Sequence, residues 1–187
     1  MANCVATVLS GIAKECGINL GGIRKVFLVS KENIDDVTFV HSTVGDTESV
    51  IENITAITMV TGKTFSSYIF RPNTATATST STVDVTLGSI FYNNMISLQF
   101  SKHATAKRIE FETIARAEDL VVMFQDANGK VYLMNYNYPA YLTTGSAEFG
   151  TAKGDFSGYK MELSAEETFS PIEINMETLD SILDFPL

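Results

Sequence analysis

Two short apolar runs, residues 120–124 and 130–133, flank the sequence Asp126-Ala127-Asn128-Gly129. An Asn-Gly pair between two such runs is the strongest short-range signal for a β-hairpin, because both residues tolerate the positive φ angles of its turn. Further runs rich in β-branched and aromatic residues lie at 26–29, 37–40, 54–60, 65–70, 89–100, 159–163 and 172–174. Such side chains suit a pleated, half-buried surface. We therefore predict a mainly β protein with about eight to ten short strands.

Two segments carry a helical pattern instead. Residues 4–16 place apolar side chains at helical spacing until glycines from Gly17 onward interrupt them, so residues 1–20 are predicted as an N-terminal helix or arm. Residues 104–118 combine good helix propensity with one apolar side. With 187 residues, 45% of them hydrophobic, the chain is long enough for one domain with a core and short for two. We predict a single domain, 1–187, built as a β-sandwich or barrel with a flanking α-helix.

Turn-forming residues predict where the strands end. Polar stretches at 31–36, 41–50 and 143–158 are predicted as turns or loops, and Gly62-Lys63 is predicted as a tight hairpin turn. The C-terminal tail, residues 176–187, contains a short amphipathic piece. This piece either docks on its own domain or reaches a neighbouring molecule.

Residues 74–82 read Thr-Ala-Thr-Ala-Thr-Ser-Thr-Ser-Thr, a run without any large side chain. Strongly β-forming residues flank it on both sides. With the preceding Arg71-Pro72-Asn73 it predicts a flexible hairpin arm, hereafter the polar arm (residues 71–82), whose tip cannot bury itself in its own core. It is either a solvated linker or a segment that becomes ordered against a neighbouring subunit. The predicted inter-subunit contact residues are Arg71, Pro72, Asn73, Thr74, Thr76, Thr78, Thr80 and Thr82.

The charge balance argues against a nucleic-acid-binding protein. The chain has 13 Lys and Arg against 22 Asp and Glu, a net charge of -9. Affinity for nucleic acid comes largely from basic groups that neutralise phosphates. An acidic surface that repels nearby DNA is compatible with this composition.

The cysteines, the N-terminal residues and the apolar stretches bear on the cellular location of the protein. Cys4 and Cys16 are predicted to be reduced thiols, although the sequence leaves open whether they interact. The first residues lack the basic and apolar regions of a secretory signal, and no stretch approaches 18 consecutive apolar residues. We expect a protein made in a reducing cytoplasm, without a membrane partner.

No catalytic motif in the sequence is complete. Gly62-Lys63-Thr64 resembles the end of a phosphate-binding loop but lacks the earlier glycine, because position 57 is Ile. His41 and His103 are predicted on the surface and have no partners at metal-ligand spacing. The paired acids Asp35-Asp36, Glu118-Asp119 and Glu166-Glu167 are predicted to be solvated at turns. We expect no enzyme activity, no cofactor, no metal and no small-molecule ligand.

The chain resembles the tail-tube (major tail) proteins of bacteriophages and prophages, particularly those of Bacteroidetes hosts. The resemblance covers residues 20–175, in which the matching segments occur in the family's order. These segments are GGIRKVFL (21–28), TFSSYIF with its polar extension (64–70), LQF (98–100), LVVMFQDANGKVYL (120–133) and GDFSGYKMELSAEE (154–167). Residues 1–20 and the C-terminal tail fall outside the pattern.

This resemblance implies a structural subunit of a virion, assembled in the host cytoplasm, that forms hexameric rings. Stacked rings would enclose a channel through which genomic DNA passes without specific binding, and the other partners would be further virion proteins. The family has no catalytic residues to transfer. One alternative is a ring or completion protein of the neck or of a short tail. Another, from a different class, is a non-catalytic carbohydrate- or surface-binding β-sandwich in which Tyr136, Tyr138 and Tyr141 stack on sugars.

Overall fold

The computed structural model describes residues 20–44, 48–84, 86, 88–175 and 179–184. The strands are β1 (Ile23–Ser30), β2 (Ile34–Val44), β3 (Glu48–Met59), β4 (Ser66–Ile69), β5 (Ala75–Asp84), β6 (Ser89–Ser101), β7 (Leu120–Asp126), β8 (Val131–Met134), β9 (Tyr141–Glu148), β10 (Gly158–Glu167) and β11 (Ile172–Glu173). One α-helix, α1 (Thr105–Arg116), and two 3₁₀ turns, Lys31–Asn33 and Leu179–Ile182, complete the described elements. The predicted mainly β fold with a flanking helix is confirmed.

The strands form three antiparallel sheets. A five-stranded sheet has the order β11-β8-β7-β1-β4, a four-stranded sheet has the order β5-β6-β10-β9, and β2 pairs with β3 alone. The four- and five-stranded sheets share one hydrophobic core, which contains Val26, Leu28, Ile96, Leu98 and Leu163. They therefore pack face to face as in a β-sandwich.

The five-stranded sheet is buried on both faces. In β1, Val26 and Leu28 contact the core shared with the four-stranded sheet, whereas Phe27 and Val29 belong to a second core on the opposite face. The second core is closed by the β2–β3 hairpin and by residues 179–183. This three-layer arrangement explains why β1 and β7 are continuous apolar runs, since a strand covered on both faces has no polar side to present.

Helix α1 closes one side of the space between the two larger sheets. Ile114, which is 4% exposed, belongs to the shared core. The Phe111 ring lies 5.3 Å from that of Tyr159 on β10. On the other sheet, Tyr68 of β4 donates a hydrogen bond to Glu110. The helix thus bridges β4 and β10, as expected for an amphipathic segment beside a sandwich.

The predicted Asn-Gly hairpin joins β7 to β8. Gly129 has a φ of 92°, a left-handed conformation that costs glycine little, whereas Asn128 does not take a positive φ. The turn is therefore a hairpin turn, but not the type in which both residues of the pair are left-handed. The Asp126 carboxylate accepts hydrogen bonds from the backbone N–H groups of Asn128 (2.9 Å) and Lys130 (2.8 Å). Local sequence alone therefore specifies this turn.

Three loop predictions are correct only in part. The predicted loop at 41–50 is largely occupied by the ends of β2 and β3, and β9 extends to Glu148 within the predicted loop at 143–158. In both places polar residues are held by ladder hydrogen bonds to a neighbouring strand, and this pairing overrides weak local propensity. Residues 61 and 62 do form a turn, but β3 and β4 lie in different sheets, so the turn does not close a hairpin.

The chain ends are described only in part. The predicted N-terminal helix, with Cys4 and Cys16, lies outside the described residues, as do residues 176–178 and 185–187 of the tail. Within the tail, residues 179–184 dock on their own domain. Leu179, Ile182 and Leu183 are buried, and the Phe65 backbone N–H donates to the Ile182 carbonyl at 2.8 Å. No helix of the described part is long and apolar enough to cross a membrane.

Candidate assembly surface

The polar arm lies at the start of a long hairpin formed by β5 and β6. A turn at residues 71–74 leads into β5, and Asn73 adopts a φ of 64° there. The Thr74 hydroxyl donates to the Arg71 carbonyl at 2.7 Å, which fixes this turn. From Ala75 to Asp84, β5 is paired with β6, from Leu98 to Ser89. The hairpin is present as predicted, but the polar arm is one of its strands rather than its tip.

The alternation of a β-strand divides the polar arm between two faces. Ala75 and Ala77 pack toward the shared core, where small side chains let β5 approach the five-stranded sheet closely. Thr76, Thr78, Thr80 and Thr82 lie on the opposite face and are exposed. Small residues therefore do not make this segment a loop, because the backbone pairing to β6 does not depend on side-chain size.

The structure brings the predicted contact residues together in two groups. The four exposed threonines form a row along the outer face of an edge strand. Arg71, Pro72 and Asn73 are exposed in the turn at the start of that strand, and Thr74 is half-buried. The predicted set is thus a continuous strip of surface, mostly open to solvent.

An apolar pair at the far end of the hairpin was missed by sequence reasoning. Val83 lies directly opposite Ile90, and their side chains are 58% and 61% exposed. Strand β10 flanks β6 only along residues 92–101, so residues 89–91 pair with β5 alone. Exposed apolar side chains that neighbour each other mark candidate contact surfaces. The β-forming residues after residue 82 were the sequence signal that could have predicted this pair.

The two larger sheets differ in how their edges are covered. At one edge of the five-stranded sheet, β4 is contacted by the C-terminal segment, since the Ser67 backbone N–H donates to the Asp184 carboxylate at 2.9 Å. Beyond β11 at the other edge, Ile174 bridges to Ile54 of β3. The four-stranded sheet ends in β5 and β9, and no strand pairs with their outer edges in the described ranges. Open strand edges are templates for pairing with another chain.

The outer face of the four-stranded sheet carries a weak negative charge. Glu162 and Glu166 of β10 share this face with Lys160. The Lys160 ammonium lies 2.8 Å from the Glu148 carboxylate, and its hydrogen bond holds the pKa of Glu148 below the ordinary value. Lys160 is therefore engaged by Glu148, which leaves Glu162 and Glu166 without a cation closer than 4.0 Å among the described residues.

One of the paired acids that were predicted to be solvated is buried instead. Glu167, the last residue of β10, is 1% exposed. Its carboxylate accepts hydrogen bonds from the backbone N–H groups of Asn137 (2.8 Å), Tyr138 (3.2 Å) and Thr168 (2.8 Å). Backbone donors satisfy a buried carboxylate without a counterion. Its inward position follows the alternation that buries Tyr159, Met161, Leu163 and Ala165, a signal already present in the sequence.

The two histidines lie in different environments within the described chain. His41 is exposed on β2. His103 is half-buried, contrary to the predicted surface position: its Nε2 lies 2.8 Å from the Glu148 carbonyl oxygen, and its ring stacks on Phe149 at 4.1 Å. The described residues contain no group of three or more His, Cys, Asp or Glu that could hold a metal ion.

The protonation of the Tyr68 phenol is strongly perturbed by its surroundings. Burial, followed by the hydrogen bond to Glu110 and the negative charges of Glu110 and Asp184, raises the pKa of Tyr68 well above its ordinary value. The neutral phenol donates its hydrogen bond to Glu110 and so links β4 to α1. Comparison of the chain with models of protein families, with curated proteins and with solved structures found no match.

Proposed function

We propose that this protein is a structural subunit of a bacteriophage virion that self-associates into rings around a channel for DNA. The observation that carries the proposal is the β5–β6 hairpin, which presents an open strand edge and the exposed pair Val83 and Ile90. Both features leave interactions unsatisfied in the single subunit, and a neighbouring copy would satisfy them. The resemblance of residues 20–175 to tail-tube proteins supplies the virion context.

Ring closure would use the two open edges of the four-stranded sheet. A head-to-tail contact between β9 of one subunit and β5 of the next joins two different surfaces, and such contacts close into a ring when the rotation between subunits permits. We propose six subunits, as the resemblance implies. A net charge of -9 per subunit would make the ring strongly negative, which favours passage of DNA over adhesion.

The second candidate is a ring or completion protein of the neck or of a short tail, which also has to bind neighbouring subunits. It also closes into a ring, but it joins other virion components rather than stacking on copies of itself. The exposed Val83 and Ile90 favour a docking hairpin in either case. Repeated stacking into tubes would distinguish a tail-tube subunit from a completion protein.

The test is negative-stain electron microscopy at rising protein concentration, with the solution mass measured in parallel. We expect rings or tubes with a central channel from the unaltered protein. The double variant Val83→Lys with Ile90→Lys places two like charges at the hairpin contact, so the concentration needed for assembly should rise at least tenfold. Ile109→Lys is the matched control, because Ile109 on α1 is also exposed (52%) but lies on a different surface.

The outcomes separate clearly. Assembly of the unaltered protein and of Ile109→Lys, with loss of assembly in the double variant, supports the proposal. A protein that stays monomeric at every concentration contradicts self-association. Rings that form equally well in the double variant contradict the hairpin contact.

A further inference from the structure

A shallow depression on the outer face of the four-stranded sheet combines aromatic and hydrogen-bonding side chains. It has a volume of about 400 Å³ and is lined by Asn93, Tyr138, Pro139, Tyr141, Ser164, Ala165 and Glu166. This volume falls within the ~300–1,000 Å³ of small-ligand sites. Tyr138 and Tyr141 are 58% and 52% exposed, so both rings are available to a ligand.

The strand register places the polar groups of the depression close together. Asn93 of β6 lies directly opposite Glu166 of β10, and Ser164 lies opposite Tyr141 of β9. Residues opposed on neighbouring strands have Cβ atoms about 5 Å apart. An amide and a carboxylate at this spacing can each bind one of two neighbouring hydroxyl groups on a single sugar ring. In the described part of the chain, neither the Asn93 amide nor the Glu166 carboxylate has a hydrogen-bond partner.

The backbone beneath Tyr138 is held rigidly. The buried Glu167 carboxylate accepts the N–H groups of Asn137 and Tyr138 at 2.8 Å and 3.2 Å. Because successive residues of a strand point to opposite faces, Glu166 faces the depression while Glu167 anchors the turn behind it. A site whose aromatic wall is fixed before binding loses less conformational entropy when the ligand arrives.

Charge restricts the kind of ligand. Among the described residues, Glu166 lines the depression and no cationic side chain does, so phosphate, sulfate and acidic sugars would be repelled. Aromatic rings with a polar tip offer a flat apolar face together with a hydrogen-bonding group. The apolar face of a pyranose and its hydroxyl rim match this combination. Tyr136 is not part of the site, because it is half-buried and its ring packs on Phe39 at 5.7 Å.

The geometry points to this depression as a binding site for a neutral saccharide, with Tyr138 and Tyr141 stacking on the sugar and Asn93, Ser164 and Glu166 binding its hydroxyls. This inference does not rest on the proposed ring, although Tyr141 begins β9, one of the two strand edges proposed for ring closure. It departs from the expectation that the protein has no small-molecule ligand. It requires that the outer face near Tyr141 remain accessible.

The test uses saturation-transfer NMR on the full-length protein, with neutral disaccharides of glucose, galactose, mannose and N-acetylglucosamine as probes. We expect saturation transfer from at least one probe at millimolar concentration. Tyr141→Ala and Tyr138→Ala should each weaken its binding at least tenfold, and Glu166→Gln should weaken it less. Phe149→Ala is the control, because it removes a 76% exposed aromatic ring outside the depression. Circular dichroism spectra would establish that each variant is folded.

Binding that is lost with Tyr141 and retained in Phe149→Ala supports the site. Absence of transfer from every neutral probe overturns it, and so does binding that survives both tyrosine substitutions. A solution mass that rises with concentration and falls in both Tyr138→Ala and Tyr141→Ala, without any saccharide signal, would instead assign the depression to a contact between copies, because Tyr138 lies outside the β9 edge. The assembly test does not depend on these results, since its variants lie on the hairpin.

Discussion

At the scale of single residues, neighbouring carboxylates have opposite roles. Glu166 is exposed on the outer face of β10, whereas Glu167 is 1% exposed and accepts three backbone N–H groups. Residue type and sequence neighbourhood are the same for both. The side of the sheet on which each side chain lies decides whether the carboxylate is solvated or structural.

Replacing Glu167 with Gln should lower the free energy of unfolding by about 2 kcal/mol, because hydrogen bonds to a charged acceptor are lost and a buried amide then faces backbone donors. Urea denaturation measures this difference. The same change at Glu166 should alter the free energy of unfolding by less than about 0.5 kcal/mol, as for most exposed positions. Equal effects at both positions would contradict the anchoring role of Glu167.

At the scale of elements, α1 is attached through very few buried side chains. Ile114 is buried at 4% exposure, whereas Ile109 on the same helix is 52% exposed. Phe111 is half-buried and closely approaches Gly145 of β9. The helix is therefore held by one inward-facing stripe, as expected for an amphipathic helix that covers a sheet margin.

Ile114→Ala should lower the free energy of unfolding by about 2–4 kcal/mol, since it removes buried methyl groups and leaves a cavity between the sheets. Ile109→Ala makes the same chemical change at an exposed site and should cost less than about 0.5 kcal/mol. Thermal or urea unfolding of the two variants, followed by circular dichroism, gives the comparison. A large loss in Ile109→Ala would mean that the helix packs through a different face.

Across the whole molecule, the burial of a strand depends on the layer in which it lies. The five-stranded sheet is covered on one face by the four-stranded sheet and on the other by β2–β3 and residues 179–183. Strand β5 lies at an open edge and is mostly exposed beyond Ala77. Local stability should follow this distribution, because few buried contacts mean easy local opening.

Native-state hydrogen exchange should therefore be slowest in β1 and β7 and fastest in β5 and its turn. The measurement compares the amides of Phe27 and Val122 with those of Thr80 and Thr82, under conditions that favour the single subunit. If subunits associate through the hairpin, exchange at Thr80 and Thr82 should slow at high protein concentration while exchange at Phe27 stays the same. Uniform exchange rates across the strands would contradict the layered distribution.

Elements that depend on local chemistry can be predicted from the amino-acid sequence. The β7–β8 hairpin follows from Asn128-Gly129, and α1 follows from helix propensity over residues 104–118. The continuous apolar runs of β1 and β7 indicated burial. These features need no distant partner, since turn geometry and side-chain periodicity are properties of the segment itself.

Whether the polar segments form strands or loops depends on their tertiary contacts. Residues 75–84 and 141–148 carry little local signal, yet β6 and β10 supply partners that hold them as edge strands. Likewise, the cluster of Tyr138, Tyr141, Asn93 and Glu166 arises because the pairing of β10 with both β6 and β9 joins separate parts of the chain. Hydrogen bonds between strands join backbone groups and do not depend on the type of side chain. Neither the edge strands nor the surface they form can therefore be inferred from local sequence alone.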